Sequence, residues 1–196
     1  MRKTCVIAAV GLCLVIGTAC AAAYDTIKTS SGTVVGRIST MSPTSVTITR
    51  PGAGGLRQDV TVNTIETIYF DEEPAQMKTI RAYIRDGQNE DALESLEKLN
   101  LDDINRDEVK QDIAFHKALC RAKLALAGTG KVLTAAGEMG AFRKRYPGNY
   151  HYLEATELMG NLALALGKHN EGEILRDIGP RTLARLQDAG SGGNGV

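Results

Sequence analysis

The stretch from Pro74 to Leu99, PAQMKTIRAYIRDGQNEDALESLEKL, most narrows what this chain can fold into. Met77, Ile80 and Ile84 recur at three- and four-residue spacing, and so do Ala92, Leu93, Leu96 and Leu99. Each set marks one face of an amphipathic helix. Asp86-Gly87-Gln88 separates them, and glycine supplies the left-handed conformation that commonly ends a helix. The pattern predicts two short helices folded back on each other, with Tyr83 beside the first apolar face and the small Ala92 where the helices come closest. A looser version follows around Gly130 and a poorer one around Gly167.

The preceding segment has a different period. Thr33–Met41, Ser45–Arg50, Asp59–Val62 and Thr64–Phe70 are rich in Thr, Val and Ile, and turn residues separate them. Val46-Thr47-Ile48-Thr49 and Ile65-Glu66-Thr67-Ile68 alternate apolar with polar, which predicts strands with one buried and one wet face. Val35-Gly36-Arg37 is expected to bend or bulge. Pro51-Gly52-Ala53-Gly54-Gly55 lies between two strand-like runs, so it predicts a long hairpin tip rather than a phosphate cradle, which runs from a strand into a helix. Ser31-Gly32-Thr33-Val34-Val35-Gly36-Arg37-Ile38 and Val62-Asn63-Thr64-Ile65-Glu66-Thr67-Ile68 resemble Sm-like or SH3-like barrels. Sm-like proteins often bind RNA, but these strands carry no aromatic stacking platform, so no nucleic-acid partner is expected.

The chain opens Met1-Arg2-Lys3, then runs uncharged and apolar from Val6 to Ala23. A basic start, an apolar core and the small-residue exit Ala21-Ala22-Ala23 predict a secretory signal over residues 1–23, with Tyr24 as the new N-terminus. Two alternatives are an uncleaved anchor at the short end of the spanning range and a lipoprotein acylated at Cys20. Gly17-Thr18-Ala19 before Cys20 are small enough for the latter, although the usual aliphatic residue is absent. Removing the signal leaves Cys120 as the sole cysteine, so no intrachain disulfide is expected. Arg2 and Lys3 also leave the 23 basic residues while all 23 acidic ones stay, which gives 21 against 23 and a net charge of −2. Such near-neutrality argues against electrostatic capture of nucleic acid or of an anionic membrane.

Beyond Leu99 the helical period continues. Asp107 to Ala127 carries Val109, Ile113, His116, Cys120 and Leu124 on one face and Phe115, Leu119, Ala122 and Leu126 on the next. So wide an apolar arc predicts an inner helix packed on both sides. Tyr150–Leu166 aligns Ala155, Leu158, Met159 and Leu162. A short helix is expected beyond Gly179-Pro180, ending by Ala189, followed by a flexible tail over residues 190–196.

Tyr83, Gly87, Ala92 and Leu96 match the pattern of the tetratricopeptide repeat: an aromatic, a turn glycine, a small residue and a bulky apolar one. A second unit has Gly130, Ala135, Met139 and Phe142, then Arg145-Tyr146-Pro147-Gly148-Asn149, similar to the exit turn of envelope-associated members. A third has Gly160, Ala163 and Gly167, but Gly172 stands where alanine is expected and Arg176 where a bulky apolar residue is expected. The turn glycines Gly87, Gly130 and Gly167 lie 43 and 37 residues apart, whereas strict repeats keep near about 34. Over residues 74–189 the chain thus resembles a tetratricopeptide-like array.

Few residues suggest chemistry. His116 and Cys120 stand one helical turn apart, but on an apolar stripe, where packing is the expected role. His151 and Glu154 share a face near a turn without a visible third partner. Asp71-Glu72-Glu73 before Pro74 is expected to cap a helix, not to hold a metal. Gly128-Thr129-Gly130-Lys131 imitates a phosphate loop, yet Ala125 replaces its first glycine and Val132 its magnesium-binding hydroxyl. Arg143-Lys144-Arg145 is expected to be a solvated helix end.

The expected object is an α+β protein: a signal over 1–23, a small β-barrel or bent sheet over 24–73, and the helical array over 74–189. The resemblance implies a non-catalytic protein–protein interaction or scaffold protein of the bacterial periplasm or cell envelope. No cofactor, metal or catalytic residue is expected. Arg81, Tyr83 and Arg85 are the candidate contacts to a protein or peptide partner, on a face expected to lie away from the β module. Membrane contact is expected only through an uncleaved signal or a lipidated Cys20. The alternatives are a self-associating structural envelope component and an enzyme whose site is not recognisable from sequence. The helix-pair assignment has a direct test. Ala92→Leu should overpack the first pair and cost about 1–3 kcal/mol in thermal or urea denaturation; unchanged melting counts against the pair.

Overall fold

The computed structural model describes residues 24–52 and 54–167. The N-terminal run with Cys20, Ala53, Gly172, Arg176, Gly179-Pro180, the helix expected to end at Ala189 and the tail over 190–196 lie outside the described residues. Among the described residues, a five-stranded antiparallel sheet precedes five helices. The strands are β1 (Asp25–Thr29), β2 (Gly32–Met41), β3 (Ser45–Thr49), β4 (Arg57–Thr61) and β5 (Ile65–Tyr69), in the order β4-β3-β2-β1-β5. The sheet edges are β4 and β5, with a 3-10 turn at Val62–Thr64 between them. Strand β1 is unexpected, because DTIKT offers a single aliphatic residue, Ile27. It exists because β2 and β5 pair with it on both sides, and such context outweighs local preference.

The bend in the sheet falls within β2. Residues 32–36 pair with β1, and Arg37, Ile38, Thr40 and Met41 pair with β3, with a register shift between Ile38 and Thr40. Gly36 sits at the changeover. Its inward face is so close to β3 that a β-carbon there would lie 2.4 Å from the Thr49 carbonyl oxygen. The expected bend at Val35-Gly36-Arg37 thus has a specific cause: two half-sheets cross where a side chain has no room. Val34, Ile38, Val46, Ile48, Val60 and Ile68 fill the inner face.

Five helices follow: α1 (Gln76–Arg85), α2 (Asn89–Glu97), α3 (Asp107–Leu126), α4 (Val132–Arg145) and α5 (Tyr152–Ala165). Each packs on the next, and α3 also packs on α5. Met77, Ile80 and Ile84 are buried on α1, and Ala92 and Leu96 on α2, as their spacing predicts. One continuous apolar core runs from Ile27 in the sheet to Leu162 in α5. No described helix is long and apolar enough to cross a membrane.

The helix ends repeat. Gly87 at φ 80°, Gly128 at φ 89° and Gly167 at φ 79° each stand two residues beyond α1, α3 and α5. Gln88 N–H donates to the Tyr83 carbonyl at 2.8 Å, and Thr129 N–H to the Leu124 carbonyl at 3.0 Å, the same closing bond in both turns. The second turn glycine is therefore Gly128, not Gly130. Counted from it, the left-handed glycines lie 41 and 39 residues apart, Gly87 to Gly128 and Gly128 to Gly167. Ala92 and Ala135 each occupy the fourth position of their helix, so the mismatch is confined to a longer turn before α4.

An ion pair joins sheet to helices. Asp25 of β1 is buried, and its carboxylate accepts from Ile38 N–H at 2.7 Å and Asp71 N–H at 2.8 Å. Arg106, immediately before α3, donates to both oxygens at 2.5 and 2.9 Å and lies over the Phe70 ring. Removing one partner of such a buried pair typically costs about 3–5 kcal/mol, because the other is left charged and unpaired. The Gly36 contact gives a sharper mutational test. Gly36→Ala should lower stability by about 1–3 kcal/mol or more, whereas Gly148→Ala, with open space around it, should stay within about 0.5 kcal/mol. Urea unfolding of both variants checks the contrast.

Candidate functional site

Asp112 is the most unusual residue of the helical half, a fully buried carboxylate on the inner helix α3. Four side chains from three segments bring their polar groups to it. Arg81 of α1 donates to its Oδ2 at 2.8 Å. Tyr150 Oη–H, from the turn before α5, donates to its Oδ1 at 2.8 Å. His151, the next residue, places Nε2 3.1 Å from the same oxygen. His116, one turn further along α3, places Nε2 3.5 Å from Oδ2.

A second layer orients these groups. Glu73 binds Arg81 through two bonds of 2.7 Å and accepts the Phe70 N–H at 3.2 Å. Glu154 holds His151 Nδ1 at 2.9 Å. Phe115 stacks on the His151 ring, with centroids 3.7 Å apart. The turn that delivers Tyr150 and His151 is itself pinned, since Asn149 bonds Gln111 of α3 and accepts the His151 N–H.

These contacts divide the titratable groups. Burial opposes ionisation of Asp112, but His116, His151 and Arg81 around it hold its carboxyl well below the usual carboxylate range. Burial pushes His116 down to about 4, so its imidazole is neutral near pH 7. Burial also opposes charge on His151, yet the carboxylates of Asp112 and Glu154 outweigh it and raise that group. His116 lies within ion-pair distance of Asp112 but makes no hydrogen bond: both its ring nitrogens are buried without a partner. Unspent coordinating capacity in the cluster is therefore concentrated on His116. Asp112, His116 and His151 each offer one ligand atom, all within 4.8 Å of one another.

Arg81, His116, Tyr150, His151 and Glu154 of this cluster line a cleft of about 1120 Å³ between sheet and helices. Glu66, Thr67 and Tyr69 of β5 form one wall; Lys78, Arg81 and Arg85 of α1, Leu119 of α3 and Glu157 of α5 form the others. This large cleft therefore lies beside the β module, whereas the sequence predicts a contact face away from it. The two parts meet along α1 and β5, where Arg81 lies over the Tyr69 ring.

Several sequence expectations change here. Arg81 is not an exposed contact, because its guanidinium is divided between Glu73 and Asp112 with only 10% of the side chain exposed. Tyr83 is half-buried against the core, while Arg85 is exposed and pairs with Asp86. Glu73 does not cap α1, whose first turn contains no acid; it anchors Arg81 instead. Arg143 is not solvated but buried, donating to Met159 Sδ and Tyr152 Oη. Cys120 keeps its expected packing role, as a buried thiol that burial pushes up to about 11, hence inert. The missing third partner of His151 and Glu154 is Asp112. Its legible signal is an acid at i and a histidine at i+4 on a helix face that is otherwise apolar.

Arg81→Met should cost about 3–5 kcal/mol, by leaving Asp112 and Glu73 charged without their cation. Arg85→Met should stay within about 0.5 kcal/mol. Equal urea midpoints for the two variants would contradict the buried role of Arg81. Compared with protein-family models, curated proteins and solved structures, the chain finds no match in any of the three.

Proposed function

We propose that this chain is an interaction scaffold, an exported envelope protein whose tetratricopeptide-like helices and adjoining sheet edge hold an extended segment of a partner protein. The observation that carries the reading is the cleft along β5. Strand β5 ends the sheet order, so its outer edge is unpaired among the described residues. Ile65, Glu66, Thr67 and Tyr69 all line the cleft, and near-consecutive residues do so when a strand presents its edge rather than one face. Such an edge is a template for an added strand, with main-chain bonds giving affinity and neighbouring pockets giving selectivity.

The opposite walls come from α1, α3 and α5, alternate helices of the described series. Near-equal spacing of 41 and 39 residues between the left-handed glycines supports a repeat, though one longer than the about 34 of strict tetratricopeptide units. Lys28, Lys78, Arg85 and Lys123 line the cleft against Glu66, Glu154 and Glu157, so a segment carrying acidic side chains suits it.

A photo-crosslinking residue at Thr67 or Lys78 should capture a heterologous protein from envelope extracts, and the same residue at Arg57 on the opposite sheet edge should not. Crosslinks solely between copies of the chain would replace this reading with self-association. Equal capture at all three positions would remove the cleft from it.

A further inference from the structure

We propose that Asp112, His116 and His151 bind a divalent transition-metal ion of the zinc class. Their candidate ligand atoms lie within 4.8 Å of one another. The two carboxylate oxygens face one imidazole each, Oδ2 at 3.5 Å from His116 Nε2 and Oδ1 at 3.1 Å from His151 Nε2. A four-coordinate zinc with bonds of about 2.0–2.2 Å keeps its ligand atoms about 3.3–3.5 Å apart. The protein thus holds the carboxylate and each imidazole close to coordination distance before any ion arrives.

Three further observations point the same way. His116 has two buried ring nitrogens with no hydrogen-bond partner. An unsatisfied buried polar group is costly, and a bound ion would satisfy one of these nitrogens with its lone pair. His151 is backed by Glu154 on the ring nitrogen opposite to the one facing Asp112, the carboxylate–histidine arrangement that orients metal-bound imidazoles. Charge agrees as well: Glu73, Asp112 and Glu154 against Arg81 leave a fixed net of −2, which a divalent ion neutralises.

Arg81 and Tyr150 need not leave. A carboxylate has about four lone-pair positions, so Asp112 can keep both donors and bind one ion once His151 releases its Nε2 proton to solvent. Two imidazoles and one carboxylate select zinc, cobalt, nickel or copper over magnesium and calcium. Both imidazoles line the cleft, so the remaining coordination position opens toward it for water or an incoming oxygen or nitrogen donor. Cys120 stands outside the group.

This inference goes beyond peptide docking, and each can fail without the other. Titration of the full chain with cobalt(II) tests it. One equivalent should bind with visible d–d absorption, without a thiolate-to-cobalt band in the near ultraviolet, and should raise the melting temperature. His116→Leu should abolish both the absorption and the shift while melting no lower than the parent without metal, since the lost imidazole makes no hydrogen bond. Glu154→Gln, at a largely exposed side chain, should weaken cobalt binding about 10–100-fold. The site is overturned by absent cobalt binding, by binding that survives His116→Leu, or by a thiolate band.

Discussion

A carboxylate cannot be taken out of water cheaply, and Asp112 is taken out completely. That cost dictates much of what surrounds it. Arg81 must come from α1, and Tyr150 and His151 from the turn before α5. Glu73 and Glu154 then hold the groups that hold Asp112. The charge gives α1, α3 and α5 one register, because any other arrangement strands an ion in the core.

Asp25 plays the corresponding part at the seam between sheet and helices. It joins β1, β2, the exit of β5 and the entry to α3 through a single carboxylate. The two acids differ in their surroundings. Asp25 spends its oxygens on two backbone amides and one guanidinium, and among the described residues no side-chain group bound to it is left with an unpaired buried atom. Asp112 sits beside an imidazole with nothing to bind. The first is a closed structural joint. The second leaves chemistry unspent beside a cleft.

Much of the fold was legible because it rests on local periodicity. The apolar faces of α1 and α2, the inner character of α3 and the alternation of β3 and β5 follow from residue spacing alone. Strand β1 was hidden because a single aliphatic residue, Ile27, carries no period. The site was hidden for a different reason. Its members come from positions 73, 81, 112, 116, 150, 151 and 154, and no local rule ties Arg81 or Tyr150 to Asp112. The exposed assignment of Arg81 and the solvated assignment of Arg143 failed alike: a basic residue reads as surface until a buried partner is known. His116 and Cys120 read as packing residues because both continue an apolar stripe, although the polar Asp112 one turn before His116 was the neighbour that mattered.

The Asp25–Arg106 joint has a consequence for how the chain is made. Its partners are 81 residues apart. At synthesis rates of roughly 5–20 residues per second, Asp25 is made about 4–16 s before Arg106. During that interval all five strands can exist while one acid of the sheet still lacks its cation. The sheet is therefore first in order of manufacture but not first to be completed. This buried contact arrives only with the inner helix, which ties the N-terminal module to the helices that follow it.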